Sequence, residues 1–448
     1  IAKQGIKVKL YEMKPEKFSP AHSNKNLAEI VCSNSFKSNL LTNACGLLKE
    51  ELRKLDSLLI KVADETSVAA GQALAVDRDI FSQKVTDIIN ENPLIEVINK
   101  EITDIKQMAE DGIVIIATGP LTSDGLAKQI SELTGEDKLY FYDAAAPIVS
   151  KESIDFNIAF YGDRYSQEKK KDESLEEWKN RLDREKDKQS YINLPMNQEE
   201  YEKFWNELVN AEVATLHEFE RREIFEGCMP VEVMAKRGID TLRYGPLKPV
   251  GFDDPRTGRR PYAVIQLRQD NKQGTLYNMV GFQTNLKFGE QKRVFQMIPG
   301  LENAEFVKYG VMHRNTYINS TELLDETYNL KSNNNVYFAG QISGVEGYVE
   351  SISSGMVAGL NACEKYKYLK QQEDKIINEK EFENIENKKI VFSENTVIGA
   401  LAKYISTPNV RFQPMNANFG ILPGLEGKKI KDKKERYKKM SDRSLQNF

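Results

Sequence analysis

The most informative part of the sequence is Val336–Gly359, VYFAGQISGVEGYVESISSGMVAG. It opens with four apolar residues, Val336–Ala339, which predict a short buried strand. Gly340 ends that strand, and Gly344 and Gly347 allow a tight turn in which the backbone approaches a ligand closely. A helix is predicted next, because apolar residues recur there at helical spacing. A strand, a glycine turn and a helix N-terminus in this order suit an anion or the edge of an electron-rich ring.

Two interpretations of this unit are open. An ordinary strand-to-helix connection in an α/β domain has the same pattern. The alternative is the second nucleotide-contacting unit of a flavoprotein, which closes over the cofactor. Both predict an α/β fold, so other segments must decide between them.

A second candidate lies at the start of the chain. Ile6–Tyr11 alternates apolar and polar residues, which predicts a strand, and the strand ends at Glu12. In dinucleotide-binding units an acidic residue at this place accepts hydrogen bonds from ribose hydroxyls, although a solvated carboxylate gives the same pattern. No GxGxxG motif occurs in the 448 residues. Either the pyrophosphate-binding loop precedes Ile1, or this chain holds a pyrophosphate in another way.

A third candidate is the apolar stretch Gly112–Gly119, GIVIIATG. It predicts a strand that stops at three small residues, Ala117, Thr118 and Gly119, where the backbone can pass close to a flavin or nicotinamide. A buried parallel strand without a ligand is the alternative.

The remaining pattern divides the chain into two kinds of sequence. Ala44–Ile60 predicts one amphipathic helix, and the charge run Gln167–Gln189 predicts a solvated helical excursion or a mobile loop. We therefore expect an α/β fold in which a Rossmann-like flavoprotein domain is assembled from both ends of the chain, residues 1–130 and 306–448. An α+β domain, residues 131–305, is inserted between them.

Composition excludes several classes of protein. Hydrophobic residues make up 40% and charged residues 29%, with a net charge of −4, as in ordinary globular proteins rather than bulk nucleic-acid binders. No apolar run has membrane-spanning length and no signal peptide is visible, so we expect no membrane partner and a cytoplasmic protein. The four cysteines, Cys32, Cys45, Cys228 and Cys363, have no CxxC or metal-ligand spacing, so no metal site is predicted.

Two of these cysteines are candidates for chemistry. Cys228 follows a glycine and precedes a basic cluster, Lys236–Arg268, and nearby cations would make its thiol a usable nucleophile. Cys32 lies in a turn of small residues. A buried, inert cysteine is the alternative for each. His313, next to arginine and asparagine, belongs either to a polar pocket or to the core.

Eleven ordered segments, which together span nearly the whole chain, closely resemble the folate- and FAD-dependent tRNA uracil-5-methyltransferases, flavoproteins related to the glucose-inhibited-division family. They are EIVCSNSFKSN, LAVDR, ATGPLTS, FYDAAAPIV, FEGCMPVEVMAKRG, GPLKPVG, PYAVIQLRQDN, GFQTNLKFGEQ, GVMHRNTYIN, FAGQISGVEGYVES and FQPMNANFG. Two departures concern residues within the chain. The charge run Gln167–Gln189 is longer than the corresponding loop, and Leu194 stands where family members usually carry a third cysteine.

The resemblance implies methylation at C5 of a T-loop uridine, position 54, of tRNA. The carbon donor would be 5,10-methylenetetrahydrofolate, with reduced FAD as carrier and reductant and NAD(P)H to re-reduce the flavin. Cys228 would add to C6 of the uracil, and Cys32 would remove the C5 proton. His313 would stack on the folate pterin, and the cluster Lys236–Arg268 would meet RNA phosphates. We expect a monomer.

The resemblance also implies a set of flavin contacts. They are Glu12, Ala117, Thr118, Gly119, Gly340, Gln341, Gly347 and Tyr348. Three alternatives remain open from the sequence: the same chemistry on a uridine of 23S rRNA, a flavin oxidoreductase without an RNA partner, and a non-catalytic RNA-binding remnant.

Overall fold

The computed structural model describes residues 1–19, 21–135, 139–165, 168–170, 172–185, 189–214, 229–373, 389–410, 412–427 and 430–448, with backbone only at 139–143, 313 and 314. Within these ranges the helices are α1 (Ala44–Lys54), α2 (Leu58–Glu65), α3 (Arg78–Asn90), α4 (Ile105–Asp111), α5 (Asp124–Thr134), α6 (Leu175–Glu185), α7 (Gln198–Asn210), α8 (Val231–Lys236), α9 (Thr241–Tyr244), α10 (Phe288–Phe295), α11 (Ser320–Leu323), α12 (Tyr348–Glu373), α13 (Val397–Ser406) and α14 (Lys433–Leu445). The strands are β1 (Val8–Glu12), β2 (Ser35–Ser38), β3 (Ser67–Val68), β4 (Ala73–Val76), β5 (Ile95–Asn99), β6 (Val114–Ile116), β7 (Leu139–Ala144), β8 (Ile148–Ser150), β9 (Phe160–Tyr161), β10 (Tyr191–Met196), β11 (Ala263–Gln269), β12 (Leu276–Met279), β13 (Phe306–Lys308), β14 (Met312–Tyr317), β15 (Asn329–Leu330) and β16 (Asn333–Phe338).

Parallel strand pairs form where the sequence predicted nucleotide-binding strands. β1 pairs in parallel with β5, and β6 pairs in parallel with β16. Because paired parallel strands run the same way, β6 and β16 end at the same edge, where ligands bind in open α/β sheets. The predicted strands ending at Glu12 and near Gly340 are confirmed, whereas the predicted strand Gly112–Gly119 is shorter, covering only Val114–Ile116.

One hydrophobic core gathers residues from both ends of the chain. It includes side chains from α1, α3, β6, β16, α12 and α13, among them the fully buried Leu47, Leu48 and Phe338. Its buried members lie between Ile30 and Ile130 and between Ile318 and Met440. Burying such residues together removes several hundred Å² of apolar surface from water, and this holds the two ends in one unit.

The helix predicted over Ala44–Ile60 is wrong in one respect. The structure has two helices there, α1 and α2, separated at Leu55–Ser57. Asp56 between them has a φ of 54°, in the left-handed region that an α-helix cannot continue through. The apolar spacing of leucines runs across the break, so the pattern alone could not reveal it.

A second core lies under an antiparallel sheet of six strands in the order β13-β8-β12-β11-β10-β9. Leu194 on β10 is fully buried there, and a Cβ at Gly300 would collide with its side chain. A leucine is therefore accommodated by packing at the position where the resembling family usually has a cysteine. The domain boundaries at 130/131 and 305/306 stay predictions.

The charge run Gln167–Gln189 contains the helix α6, so the predicted helical excursion is confirmed. The charge run was predicted to be solvated, but the fully buried side chain of Trp178 anchors α6 to the rest of the protein. Arg181 and Glu173 add an ion pair of 2.8 Å beside it. In the part of the chain that the structure describes, none of the helices is both long and apolar enough to cross a bilayer.

Candidate functional site

The site is organised by the glycines that follow β6 and β16. Ala339 N–H donates to Ile116 O at 2.9 Å, which keeps the two strand ends together. Gly119 and Gly340 then have φ values of 67° and 80°. A Cβ at Gly119 would meet no atom within 4 Å, and one at Gly340 would meet Ser351 Cβ only at 3.9 Å. Other residues therefore leave the backbone uncovered at both strand ends, so a ligand can approach it there.

The turn after Gly340 is confirmed as a tight one. Gln341–Ser343 forms a single 3-10 turn, and Gly344 and Gly347 have φ values of 85° and 114°. A Cβ at Gly344 would collide with the ring of Phe412, and one at Gly347 with the Glu350 carboxylate. Only glycine fits these two positions, and the predicted helix α12 begins directly after them at Tyr348.

Two residues that the sequence singled out, 316 positions apart, meet at this place. The Sγ of Cys32 lies 3.0 Å from the hydroxyl oxygen of Tyr348, and the backbone N–H of Cys32 donates to the same oxygen at 3.2 Å. Burial raises the pKa of Tyr348 well above its usual range, so its phenol stays protonated at neutral pH. The phenol oxygen accepts a hydrogen bond from the backbone N–H of Cys32. The hydroxyl hydrogen of Tyr348 is therefore available for a hydrogen bond to the sulfur.

The turn carrying Cys32 is fixed by Arg78, the first residue of α3. Arg78 donates to the carbonyl oxygen of Ile30 at 3.0 Å and to that of Val31 at 3.4 Å. It also pairs with Asp270 at 3.1 Å, and both side chains are largely buried. Burial alone would lower the pKa of Arg78, but the Asp270 carboxylate raises it above its ordinary value. The residues before Cys32 are therefore tied, through Arg78, to Asp270, which directly follows β11.

A second arginine, Arg268 on β11, makes contacts on the other side of Cys32. It donates to Asn34 Oδ1 at 3.1 Å and to Ser33 Oγ at 2.7 Å. Asn34 in turn donates to Gln269 O at 3.0 Å. Burial lowers the pKa of Arg268, of which only 8% is exposed. The expectation that the whole cluster Lys236–Arg268 meets RNA is therefore wrong for Arg268, which faces the Cys32 turn instead.

Two other arginines of that basic cluster form ion pairs with neighbouring aspartates. Arg243 pairs with Asp240 at 2.5 Å, and Arg256 pairs with Asp254 at 2.8 Å. The exposed basic residues of the cluster are Lys236, Arg237, Lys248, Arg256, Arg259 and Arg260. Of these, Arg260 also pairs with Glu168 at 3.8 Å.

A buried charged group lies behind the glycine turn. Glu350, which is fully buried, accepts from Ala417 N–H at 2.8 Å and pairs with Lys37 at 3.3 Å. The Sγ of Cys45 donates to Glu350 at 3.5 Å, and burial raises the pKa of Cys45 to about 12. Cys45 is therefore held as a thiol, and Cys363 is buried as well.

Glu12 lies at the end of β1, as predicted, directly opposite Asn99 of β5. Its Oε1 accepts from Lys14 N–H at 3.0 Å, which fixes the direction of the carboxylate. Two predicted site residues cannot be placed in this way. Cys228 lies outside the described residues, and for His313 only the backbone, in β14 opposite Asp143, is described.

Sequence reasoning missed the residues that hold the Cys32 turn. Arg78, Asp270 and Arg268 all lie in segments quoted for the resemblance, LAVDR and PYAVIQLRQDN, but Arg78 and Asp270 were given no role and Arg268 was assigned to the RNA. Charged residues inside otherwise apolar strand patterns are the signal that could have found them, because a buried charge requires a partner.

The chain is similar to known proteins along most of its length. The family model described as Glucose inhibited division protein A matches residues 1–370. The chain is 56% identical over 446 residues to the Acetivibrio thermocellus protein named Methylenetetrahydrofolate--tRNA-(uracil-5-)-methyltransferase TrmFO, covering 99% of this chain and 93% of that protein. It is 52% identical over 447 residues to the Staphylococcus carnosus protein of the same name, with the same coverage. The solved structure of Aquifex aeolicus GidA in its form I crystal matches with a TM-score of 0.63 at 14% identity, covering 100% of this chain and 72% of that one. That likeness shows a shared fold.

Proposed function

The chain belongs to the Glucose inhibited division protein A family, and from that premise we propose that it methylates C5 of a uridine in tRNA with a folate as carbon donor. Its fold is the Rossmann-like fold of FAD-binding flavoproteins, and relatives named for this activity share more than half of its residues along 99% of its length. The target within tRNA is, in this proposal, the T-loop uridine at position 54.

The observation in the structure that carries the proposal is the position of Cys32. Its sulfur is held 3.0 Å from the Tyr348 hydroxyl, at the start of the helix that follows the glycine turn. In this proposal the sulfur of Cys32, as a thiolate, takes a proton from the substrate.

The residues around the glycine turn fit a flavin. Space lies open at Gly119 and Gly340, and one oxygen of the buried Glu350 carboxylate lacks a hydrogen-bond partner among the described residues. When bound, FAD supplies the reducing equivalents and carries the one-carbon unit derived from 5,10-methylenetetrahydrofolate. Its contacts in this proposal are Glu12, Ala117, Thr118, Gly119, Gly340, Gln341, Gly347 and Tyr348.

The two cysteines divide the work on the uracil. C5 of uracil is a poor nucleophile, and addition of the Cys228 thiolate to C6 makes C5 reactive. After C5 has gained its new carbon, Cys32 accepts the C5 proton, and Cys228 then leaves C6. His313 stacks on the folate pterin, and NAD(P)H is the source of electrons for the next cycle.

The test is transfer of a labelled carbon. The purified protein is incubated with labelled 5,10-methylenetetrahydrofolate, FAD, NADPH or NADH, and an unmodified tRNA transcript. We expect label in 5-methyluridine of the T-loop and none in a tRNA whose T-loop uridine is replaced by cytidine. Label in a 23S rRNA fragment but not in tRNA, or no label in any RNA, would contradict the proposal.

A further inference from the structure

The side chain of Tyr244 stands out on the surface of the inserted half. It is 83% exposed, and among the described residues no other aromatic side chain is exposed to this extent. Tyrosine usually buries most of its ring, because the ring is a large apolar surface. A ring exposed to this extent is available to stack on a ring of another molecule.

The backbone beneath Tyr244 is rigid. Leu242 and Leu247, on either side of it, are fully buried, and Leu247 N–H donates to Leu242 O at 2.9 Å. Pro246 packs so closely on Gly281 that a Cβ at position 281 would collide with it. The ring of Tyr244 is therefore presented by a fixed turn and loses little freedom when it binds.

The neighbouring arginine strengthens this scaffold. The guanidinium of Arg243 lies 3.5 Å from the ring centroid of Tyr262, and its Nε donates to Tyr262 O at 3.0 Å. Arg243 also pairs with Asp240, so the acidic residue of this corner is neutralised. The short helix α9 is thereby fixed to the start of β11.

The charges that surround Tyr244 favour a polyanion. Lys236 and Arg237 lie at the end of α8 and are exposed, and a tight turn, with Gly238 N–H donating to Ala235 O at 3.2 Å, leads from them to α9. Lys248 is exposed on the other side. Glu232 on α8 points inward and accepts from Thr284 Oγ1 and Asn285 N–H, both at 2.8 Å. The acidic side chains of the corner are thus buried or paired, whereas these cations are exposed.

We propose that the corner formed by Lys236, Arg237, Tyr244 and Lys248 binds the tRNA substrate, with the ring of Tyr244 stacked on an unpaired base other than the methylated uridine. Exposed aromatic rings flanked by cations bind single-stranded RNA in this way, the ring contacting a base and the cations its phosphates. The inference rests on the proposed function, because it takes tRNA as the partner. Within the sequence, α8 begins three residues after Cys228, so the corner belongs to the same segment as the proposed nucleophile.

The test compares affinities for an unmodified tRNA transcript, measured by fluorescence anisotropy at one fixed salt concentration. We expect Tyr244→Ala to weaken binding about tenfold, since loss of a base–aromatic stack has an effect of this order. Tyr244→Phe should bind within about twofold of the unchanged protein, because the ring remains. The matched control is Tyr366→Ala, which removes another exposed tyrosine, on the distal part of α12, and should leave affinity unchanged.

Salt dependence separates the ring from the cations. Lys236→Gln should lower the slope of log Kd against log salt by roughly 0.7 to 0.9, as expected for one lost phosphate contact. Tyr244→Ala should leave that slope unchanged, because it removes no charge.

Three results would overturn the inference: wild-type Kd and KM for tRNA in Tyr244→Ala, a Tyr244→Phe defect equal to that of Tyr244→Ala, or tRNA affinity unaffected by Lys236→Gln at any salt. If the unchanged protein transfers label to tRNA and one of these results is found, only this inference fails. Absence of label from every RNA would count instead against the proposed function.

Discussion

The surroundings of Cys32 and the Tyr244 corner are stabilised in different ways. Cys32 is surrounded by buried polar contacts that join the two halves of the chain, including Arg78 with Asp270 and Arg268 with Ser33. The ring of Tyr244 contacts solvent, and the residues that fix its backbone are its sequence neighbours and β11. One region holds a reactive atom in a fixed position, and the other presents a surface.

The difference shows what each part of the proposed reaction requires. Proton transfer demands that donor and acceptor approach within hydrogen-bond distance, so the thiol must be positioned by residues that cannot move independently. Binding a large RNA depends on many weak contacts, and no single one of them needs the precise distance that proton transfer requires. Changes near Cys32 should therefore affect chemistry and stability, whereas changes near Tyr244 should affect affinity alone.

The largest expected effect separates the two cysteines. Cys32→Ala should reduce methyl transfer on the order of 10³-fold or more, because the proton acceptor is lost, while tRNA containing 5-fluorouridine still becomes covalently trapped. Cys228→Ala should abolish both transfer and trapping, because the nucleophile is lost. Trapping is measured as a protein–RNA band that survives denaturing electrophoresis.

The control for this pair is Cys363→Ala, which removes a buried thiol on α12 and should retain both transfer and trapping. Trapping by Cys228→Ala would remove Cys228 from its proposed role. A normal rate of transfer by Cys32→Ala would refute the assignment of Cys32 as the base.

The second prediction concerns the ion pair that joins the two halves. Arg78→Met should lower the free energy of unfolding by about 3 kcal/mol, because it leaves the Asp270 carboxylate, 5% exposed, without its paired charge. The measurement is urea unfolding followed by circular dichroism. The double variant Arg78→Met with Asp270→Leu should recover part of the loss, since no buried charge then remains.

Its matched control is the exposed pair of Lys3 and Asp56, whose side chains are 60% and 81% exposed. Lys3→Met should cost much less stability than Arg78→Met, because solvent already screens that pair. Equal costs for the buried and the exposed variant would show that the contact between the halves does not contribute as described.

The sequence predicted the local units of this site but not their contacts with one another. The strand, glycine turn and helix around Gly340 could be predicted because glycine and apolar spacing report local conformation. The contact of Cys32 with Tyr348 could not, since it depends on how segments 316 residues apart pack together. For the same reason Arg268 was grouped with the RNA-facing cations, although β11 turns it towards Asn34.

The third prediction uses a buried carboxylate on α1. Glu51 on α1 accepts from Val397 N–H at 2.8 Å and Ile398 N–H at 2.9 Å, at the start of α13, and burial raises its pKa to about 7 from an ordinary 4.5. At a pH between these two pKa values, Glu51 is protonated in the folded chain more often than in the unfolded chain. The free energy of unfolding should therefore fall by about 2 kcal/mol as the pH rises from 5 to 8.

The measurement is the unfolding midpoint at several pH values for the unchanged protein and for Glu51→Gln, whose profile should be flatter by that amount. Glu96→Gln, which removes an exposed carboxylate on β5, should keep the original profile. A Glu51→Gln profile parallel to that of the unchanged protein would show that Glu51 does not titrate in this range.

The smallest expected effect is the removal of one hydroxyl group beside Cys32. Tyr348→Phe keeps the ring that packs 5.6 Å from Phe36, centroid to centroid, but removes the hydroxyl that lies 3.0 Å from the sulfur. A hydrogen bond to a thiolate stabilises the charged form, so its loss should slow alkylation of Cys32 by iodoacetamide at pH 7 by about tenfold. Mass spectrometry of the peptide carrying Cys32 gives the rate, and the buried Cys363 serves as an internal reference in the same digest. An unchanged rate in Tyr348→Phe would mean that the hydroxyl does not act on the sulfur, and the contrast with the Tyr244 corner would then rest on Arg78 and Arg268 alone.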